Sequence, residues 1–477
     1  MNFDISETQL NDIVENVVRQ VVSQTTNSEN STIESGKGDN GVFEDMNDAV
    51  EAAYVAFQEY KERSTQCRKD ITDAIRKMAI DHKEELSQLT IEETTMGRLD
   101  HKIAKYINAS ENSPGVEDLQ PRAWSGKNGL ALDEYAPFGV IGNISPSTHP
   151  GPVLINNIII QLAGGNTIAF NPHPNAKKIS NKVIQLANKY MIEAGAPANL
   201  VTSIKEPTLQ SAEALFSHEK VAFLSVTGGP QVVEMAQKFP KKLMAAGPGN
   251  PPVLVDETAD LVHAAKEITD SASFDNNILC IGEKEIFVVE SVFDAFMSEM
   301  EKVGNVRLTT SQMDELGEKA LFQSGEHWLI GRDLVGKNAK VLANAIGLNV
   351  SENAPLLIGE TDKNHPWVLA EQMTCCIPVV KVKDFKEGTQ AAIEAEHGFR
   401  HTASVFTKDI DRATKYSRVL DCTVNVINGG TLRGNGGDLG EGYFSHTIAT
   451  PTGEGITTPL DFVRKRRIMT HPALRFI

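Results

Sequence analysis

Cysteine is scarce: Cys67, Cys280, Cys375, Cys376 and Cys422 are the only five. Their number is odd, the one close pair is adjacent, and neither a C-x-x-C nor a Cys/His cluster with zinc spacing occurs. No disulfide framework and no metal site are therefore expected. Free thiols fit a reducing cytosol. Basic residues are outnumbered, with 46 Lys and Arg against 63 Asp and Glu and a formal net charge of −17. Such a surface repels phosphate backbones and anionic membranes, so neither nucleic acid nor a membrane is an expected partner. No apolar run reaches the ~18 residues of a bilayer span. The first residues lack the basic region and long apolar stretch of a secretory signal, and a cytoplasmic protein is expected. G-x-G-x-x-G is also missing, which argues against the ordinary Rossmann pyrophosphate grip.

What is present describes a globular chain. Hydrophobic residues are 40% and charged residues 23% of 477 positions, enough for a large core. At ~150 residues per domain this predicts about three units. Leu10, Ile13, Val14, Val17, Val18, Val21 and Val22 recur at helical spacing, with Asp12, Glu15 and Arg19 opposite. Residues 1–22 thus predict an amphipathic helix. Residues 23–41, rich in Ser, Thr, Asn and Gly, predict a flexible linker. A short apolar stripe on a tether reads as a docking tag, or as a helix folded back onto the body.

From Val42 to about Ala109 the pattern is helical, with one helix starting at Asp45 and another from Lys69 to Leu89. From Tyr135 to Val255 strand and helix signals alternate. Strands are predicted at 138–144, 166–170, 200–204 and 221–226, and helices at 153–163 and 176–194. Repeated strand-turn-helix units imply an α/β fold with a parallel, doubly wound sheet whose ligands bind at the strands' carboxyl ends. A second α/β region has strands at 252–256, 285–290, 379–382 and 403–406 and a helix at 261–272. A glycine-rich tail follows, with the basic run Arg464–Arg467 near its end.

Two places can carry chemistry. Thr227-Gly228-Gly229 lies between a predicted strand and a helix, where backbone N–H groups can approach an anion. A tight turn alone explains most such sequences. Cys280 follows the polar stretch Asp275-Asn276-Asn277, a loop position suited to a reactive group. A lone cysteine before a strand is more often structural.

Six ordered motifs decide between these readings. They are Pro137-Phe-Gly-Val-Ile-Gly142, Pro146-Ser-Thr-His-Pro150, Ala163-Gly-Gly-Asn-Thr167, Val226-Thr-Gly-Gly229, Gly247-Pro-Gly-Asn-Pro-Pro252 and Phe274-Asp-Asn-Asn-Ile-Leu-Cys280. Together they resemble the aldehyde dehydrogenase superfamily. Within it the chain is similar to the CoA-acylating acetaldehyde and propionaldehyde dehydrogenases of bacterial microcompartments. Gly440-Glu-Gly-Tyr443 and Thr450-Pro-Thr-Gly-Glu-Gly-Ile456 look like that branch's C-terminal signatures. The resemblance runs from about Val42 to the C-terminus.

The resemblance implies a Rossmann-type NAD- and CoA-binding domain over 42–246, with a bridging β-hairpin near 119–135. It further implies an α/β catalytic domain over 247–432 and a segment 433–477 returning to the oligomerisation and cofactor region. It assigns Cys280 as the nucleophile that carries a thioester between hydride transfer to NAD and acyl transfer to coenzyme A. A thiolate suits both tasks, as nucleophile and as leaving group. The Cys280 backbone N–H is a candidate donor to the developing oxyanion. Hydrolytic relatives carry a water-activating Glu where Ala245 stands here, and its absence favours acyl transfer over acid formation. A different base, Asp275 or Glu371, would weaken that argument. Where those relatives place an oxyanion Asn this chain has Thr148, a shorter donor or simply a turn hydroxyl.

Cofactor contacts carried over from the resemblance are Ile144, Ser145, Pro146, Thr227, Gly228, Gly229 and Gly247. Glu371 matches the carboxylate that binds the nicotinamide ribose. Asn171 replaces the family's Lys at the adenosine ribose and is followed by Pro172 and His173, so NAD and NADP both stay open. His173 is either a shared NAD and CoA contact or a turn residue. Cys375 and Cys376 read as apolar fillers, and Arg464–Arg467 as a charged face near a subunit contact. The resemblance implies a homodimer or homotetramer acting on a short-chain aldehyde, recruited by its N-terminal helix to shell or core proteins in a microcompartment lumen. The rivals are a hydrolytic enzyme forming free acid and a catalytically silent assembly protein.

Overall fold

A computed structural model describes residues 38–325 and 327–475. The expected helix 1–22 and most of the linker lie outside the described residues. The linker's end is not flexible chain. Asp39 and Val42 exchange backbone hydrogen bonds at 2.9 and 3.1 Å, and Val42–Phe43 is a short buried strand beside Val201–Ile204. A two-residue strand has no periodicity to read and is held by its neighbour.

Asp45 caps the helix Met46–Tyr60 by accepting from Asn47 N and Asp48 N. The expected single helix 69–89 is two, Thr65–Asp81 and Lys83–Thr94. The chain leaves helical geometry at His82, whose ring meets Glu85 at 2.9 Å and Tyr190 at 3.3 Å. Leu99–Asn112 follows as another helix.

The first large sheet has six parallel strands. In spatial order they are Val42–Phe43, Val201–Ile204, Thr167–Pro172, Val140–Ser145, Val221–Thr227 and Lys242–Ala246. The chain starts its classic outward walk at Val140–Ser145, runs to one side through Thr167–Pro172 and Val201–Ile204, then crosses to Val221–Thr227. That reversal is a topological switch point, where doubly wound sheets bind ligands outside the carboxyl ends of the strands. Pro150–Ala163, buried along its whole length, packs under the sheet.

The second sheet has seven parallel strands. Their order is Val306–Leu308, Leu357–Thr361, Cys376–Val382, Glu285–Val289, Pro252–Val255, Thr402–Phe406 and Val424–Ile427. Parallel strands covered on both faces read as nearly continuous apolar runs, as Glu285–Val289 and Cys376–Val382 do. Cys375 and Cys376 are buried in this sheet's core, as fillers should be.

A third, antiparallel sheet joins the hairpin Arg122–Gly126 and Gly129–Pro137 to the tail strand Val463–Thr470. Arg466 and Arg467 pair with Glu134 and Asp133 across the strands at 2.6 and 2.5 Å. Two of the four cations of the basic run are therefore neutralised by their neighbours, while Arg464 donates to Pro137 O at 3.0 Å. No helix among the described residues is long and apolar enough to cross a membrane.

Candidate active site

Four neighbouring strands of the second sheet deliver side chains from their amino ends. Gly249 precedes Pro252–Val255, Cys280 precedes Glu285–Val289, Glu371 precedes Cys376–Val382 and His401 precedes Thr402–Phe406. The sheet thereby gathers four residues that are far apart in sequence.

Cys280 is half-buried on a turn. The turn is set by three consecutive non-glycine residues in left-handed geometry, with φ of 50° at Asp275, 56° at Asn276 and 59° at Asn277. Asp and Asn tolerate this region better than other side chains, and each is pinned. Asp275 Oδ1 accepts from Arg98 N at 2.9 Å, and Oδ2 accepts from Lys102 Nζ at 2.8 Å and Lys105 Nζ at 2.5 Å. Asn276 Nδ2 donates to Gly336 O and Asn338 Oδ1, both at 2.8 Å. Asn277 Nδ2 donates to Glu283 O at 2.8 Å. Local strain of about 1 kcal/mol or more per residue is thus held by tertiary bonds.

Burial pushes the Cys280 thiol up to about 12, and the Glu371 carboxylate adds to the shift. Lys284 and the backbone N–H groups of Cys280 and Ile281 pull toward the thiolate. Glu371 Oε1 accepts from Gly249 N at 3.3 Å, and burial raises its proton affinity against the pull of Lys284. Gly249 is required: a Cβ there would lie 2.5 Å from Cys280 O and 2.9 Å from His401 Cγ. His401 is fully buried, and burial holds its ring neutral, down to about 4. Its Nδ1 meets Thr402 Oγ1 at 2.8 Å, and its buried Nε2 has no hydrogen-bond partner.

The first sheet supplies the opposite wall. Ile144 and Ser145 end Val140–Ser145, and Thr227 ends the adjacent Val221–Thr227. Ser145 Oγ and Thr227 Oγ1 are both buried without a partner, side by side at the switch point. Orphaned hydroxyls there fit a polar cofactor. Gly228 and Gly229 lead into the helix Pro230–Gln237, and a Cβ on Gly228 would come within 2.8 Å of Val232. Pro146 follows Ser145 directly, and Gly247 lies against Pro451 of the tail. Asn171 is buried and takes a hydrogen bond from Ser211; Pro172 ends that strand. His173 accepts from Asn175 N at 3.1 Å and caps a short turn, and burial and Arg332 keep its ring neutral.

Lys102 joins the two walls, since its Nζ also donates to Thr148 O at 3.2 Å. The Thr148 hydroxyl meets His149 Nδ1 at 2.9 Å, the partner expected of a turn hydroxyl. Asp275 is removed from the candidate bases. Burial disfavours its charge, but Lys105 and Lys102 outweigh this and hold it down to about 2. Ala245 is fully buried in the apolar cluster of Val226, Val233 and Ala236.

Sequence reasoning missed Lys102, Lys105, Lys284 and His401. Lysines three apart on a helix face shared with Tyr106 and Ala109, and a lysine opening an apolar strand, are the signals that mark them.

A doubly wound sheet whose switch point faces a cysteine turn at the amino ends of a second parallel sheet is the architecture of the aldehyde dehydrogenases. The chain belongs to the aldehyde dehydrogenase family, whose sequence profile matches residues 20–439. It is 42% identical to the acetylating acetaldehyde dehydrogenase of Salmonella typhimurium, over 97% of this chain and 99% of that one. It is similar in structure to the propionaldehyde dehydrogenase of Rhodopseudomonas palustris with bound CoA and an acylated cysteine. There the TM-score is 0.89 at 38% identity, covering 92% of this chain and 100% of that one. A propionaldehyde dehydrogenase from the fucose utilisation microcompartment of Clostridium phytofermentans superposes with a TM-score of 0.88 at 41% identity, over 90% and 98% of the two chains.

Proposed function

We propose that this chain is a CoA-acylating, NAD(P)-dependent aldehyde dehydrogenase that converts acetaldehyde or propionaldehyde to its acyl-CoA. The observation that carries the reading is Cys280 on its pinned turn, with Ala245 where a hydrolytic enzyme keeps its base. The relative crystallised with CoA and an acylated cysteine supports it.

In this reading the Cys280 sulfur attacks the aldehyde carbon, forming a C–S bond and an oxyanion. The Cys280 N–H, with the Thr148 hydroxyl as a second candidate, steadies that oxygen. Ile144, Ser145, Pro146, Thr227, Gly228, Gly229 and Gly247 hold the dinucleotide, and Glu371 takes the ribose hydroxyls. The cofactor, when bound, supplies a hydride acceptor. Loss of hydride leaves a thioester on Cys280. The CoA thiolate then attacks that carbonyl, the Cys280 thiolate leaves, and acyl-CoA departs. Asn171, Pro172 and His173 line the adenine end for either ligand.

Two measurements test this. NADH formation should require CoA for sustained turnover, whereas full turnover without it would favour the hydrolytic rival. Mass spectrometry of enzyme quenched with aldehyde and NAD+ should find one acyl group on Cys280, and Cys280→Ala should abolish both. The two aldehydes differ by one methylene, worth only ~1–3 kcal/mol of discrimination, so kcat/KM for C2 to C4 aldehydes sets the preference.

The same reading takes 42–246 as the cofactor domain, 247–432 as the catalytic domain and 433–477 as the returning segment. It takes the hairpin sheet as the contact that builds a homodimer or homotetramer. It takes residues 1–22 as the tag that docks shell or core proteins in a microcompartment lumen. A neighbour from a fucose utilisation microcompartment supports the location in such a lumen.

A further inference from the structure

Lys284 opens the strand Glu285–Val289 immediately after the Cys280 turn, and it is fully buried. Its Nζ donates to Asn277 O at 3.0 Å, Asn277 Oδ1 at 3.0 Å and Leu279 O at 2.9 Å. The backbone is fixed too: Lys284 N donates to Pro251 O at 3.0 Å, and Lys284 O accepts from Gln372 Nε2 at 2.8 Å. One residue therefore ties together the segments that carry Gly249, Cys280 and Glu371.

The three partners of Nζ are all acceptors. An ammonium has three protons to give them, whereas a neutral amine would aim its lone pair at one of the oxygens. The geometry calls for the charged form, although burial lowers the proton affinity of this lysine. No carboxylate among the described residues forms an ion pair with Nζ. Its charge is felt by Glu371, Cys280, Glu283 and Glu285, and by His401 on the neighbouring strand. A buried cation held only by carbonyl dipoles is costly unless an anion forms nearby. Glu371 is one such anion, and the Cys280 thiolate, one residue beyond the Leu279 carbonyl, is the other that the reaction would create.

We propose that Lys284 is a positioning residue for the acyl-transfer reaction: it fixes the Asn277–Leu279 turn and presents its positive charge to the Cys280 thiolate. This rests on the reading of Cys280 as nucleophile. The test is the rate of Cys280 alkylation by iodoacetamide in the full chain, followed by peptide mass spectrometry from neutral to alkaline pH. In Lys284→Met the midpoint should rise by about one pH unit or more, read as a fall of about tenfold in rate at neutral pH with the rate still climbing toward alkaline pH. Lys284→Arg should keep the midpoint near that of the parent. A purely structural lysine would lower the rate at every pH without moving the midpoint. Lys284→Gln keeps two donors without the charge, and is the second neutral variant where Met is not accommodated. A folded neutral variant whose Cys280 titrates where the parent's does overturns the role of Lys284 and leaves the thioester mechanism standing. Failure to find acyl-Cys280 in the parent enzyme overturns the mechanism itself, whatever the alkylation profiles show.

Discussion

Replacing Asp275 by Asn removes one negative charge from a point where two buried ammonium groups converge. What remains is a pair of like charges with side chains 0% and 3% exposed. Breaking a buried pair by removing one partner costs about 3–5 kcal/mol, and urea unfolding of Asp275→Asn should show a loss of that size. The pH dependence has a definite sign. The folded-state value of about 2 lies below the ~3.9 of an unfolded Asp. The contribution is therefore complete above about pH 4 and is lost as pH falls toward 2. The stability difference between parent and variant should shrink over that interval. The sequence marks Asp275 as polar loop and as a candidate base, not as the partner of two lysines. Its lysine partners lie some 170 residues upstream, so their convergence is a property of the packed chain.

Elements were legible where a local pattern repeats. The strand-turn-helix alternation between Tyr135 and Val255 places four of the six strands of the first sheet to within two or three residues but not Lys242–Ala246, and Leu261–Ala272 is read in full. Elements held by neighbours were not. Val42–Phe43, Val306–Leu308 and the hairpin of Leu321–Ser324 with His327–Ile330 are too short to show a period. The antiparallel sheet at the hairpin shows what such pairing does. Trp124, Ala131 and Met469 fall in register across three strands and share one face, and Trp124 and Met469 are 49% and 60% exposed. The acid–base pairs alongside reduce the charge that would keep a second copy away. If this sheet joins subunits, Met469→Asp should shift the protein to a smaller species in sedimentation velocity. An unchanged sedimentation coefficient would place the subunit contact elsewhere.

For the whole molecule, the proposed tag makes a prediction separate from that of the enzyme. Residues 1–24 lie outside the described residues; on the tag reading proposed above, their deletion should leave kcat/KM unchanged and abolish co-purification with shells. A loss of activity would tie the segment to the catalytic body instead. The sequence by itself determined the fold class, and it offered Cys280 as the nucleophile and Ala245 in place of a hydrolytic base, because each is written in contiguous motifs a few residues long. Tertiary structure decided what surrounds that cysteine. It removed Asp275 as a base by pairing it with Lys102 and Lys105, and it brought Lys284, Glu371 and His401 to one end of a sheet. Those outcomes follow from strand order and burial, which convert distant polar residues into a single low-dielectric neighbourhood where each charge is felt by the others.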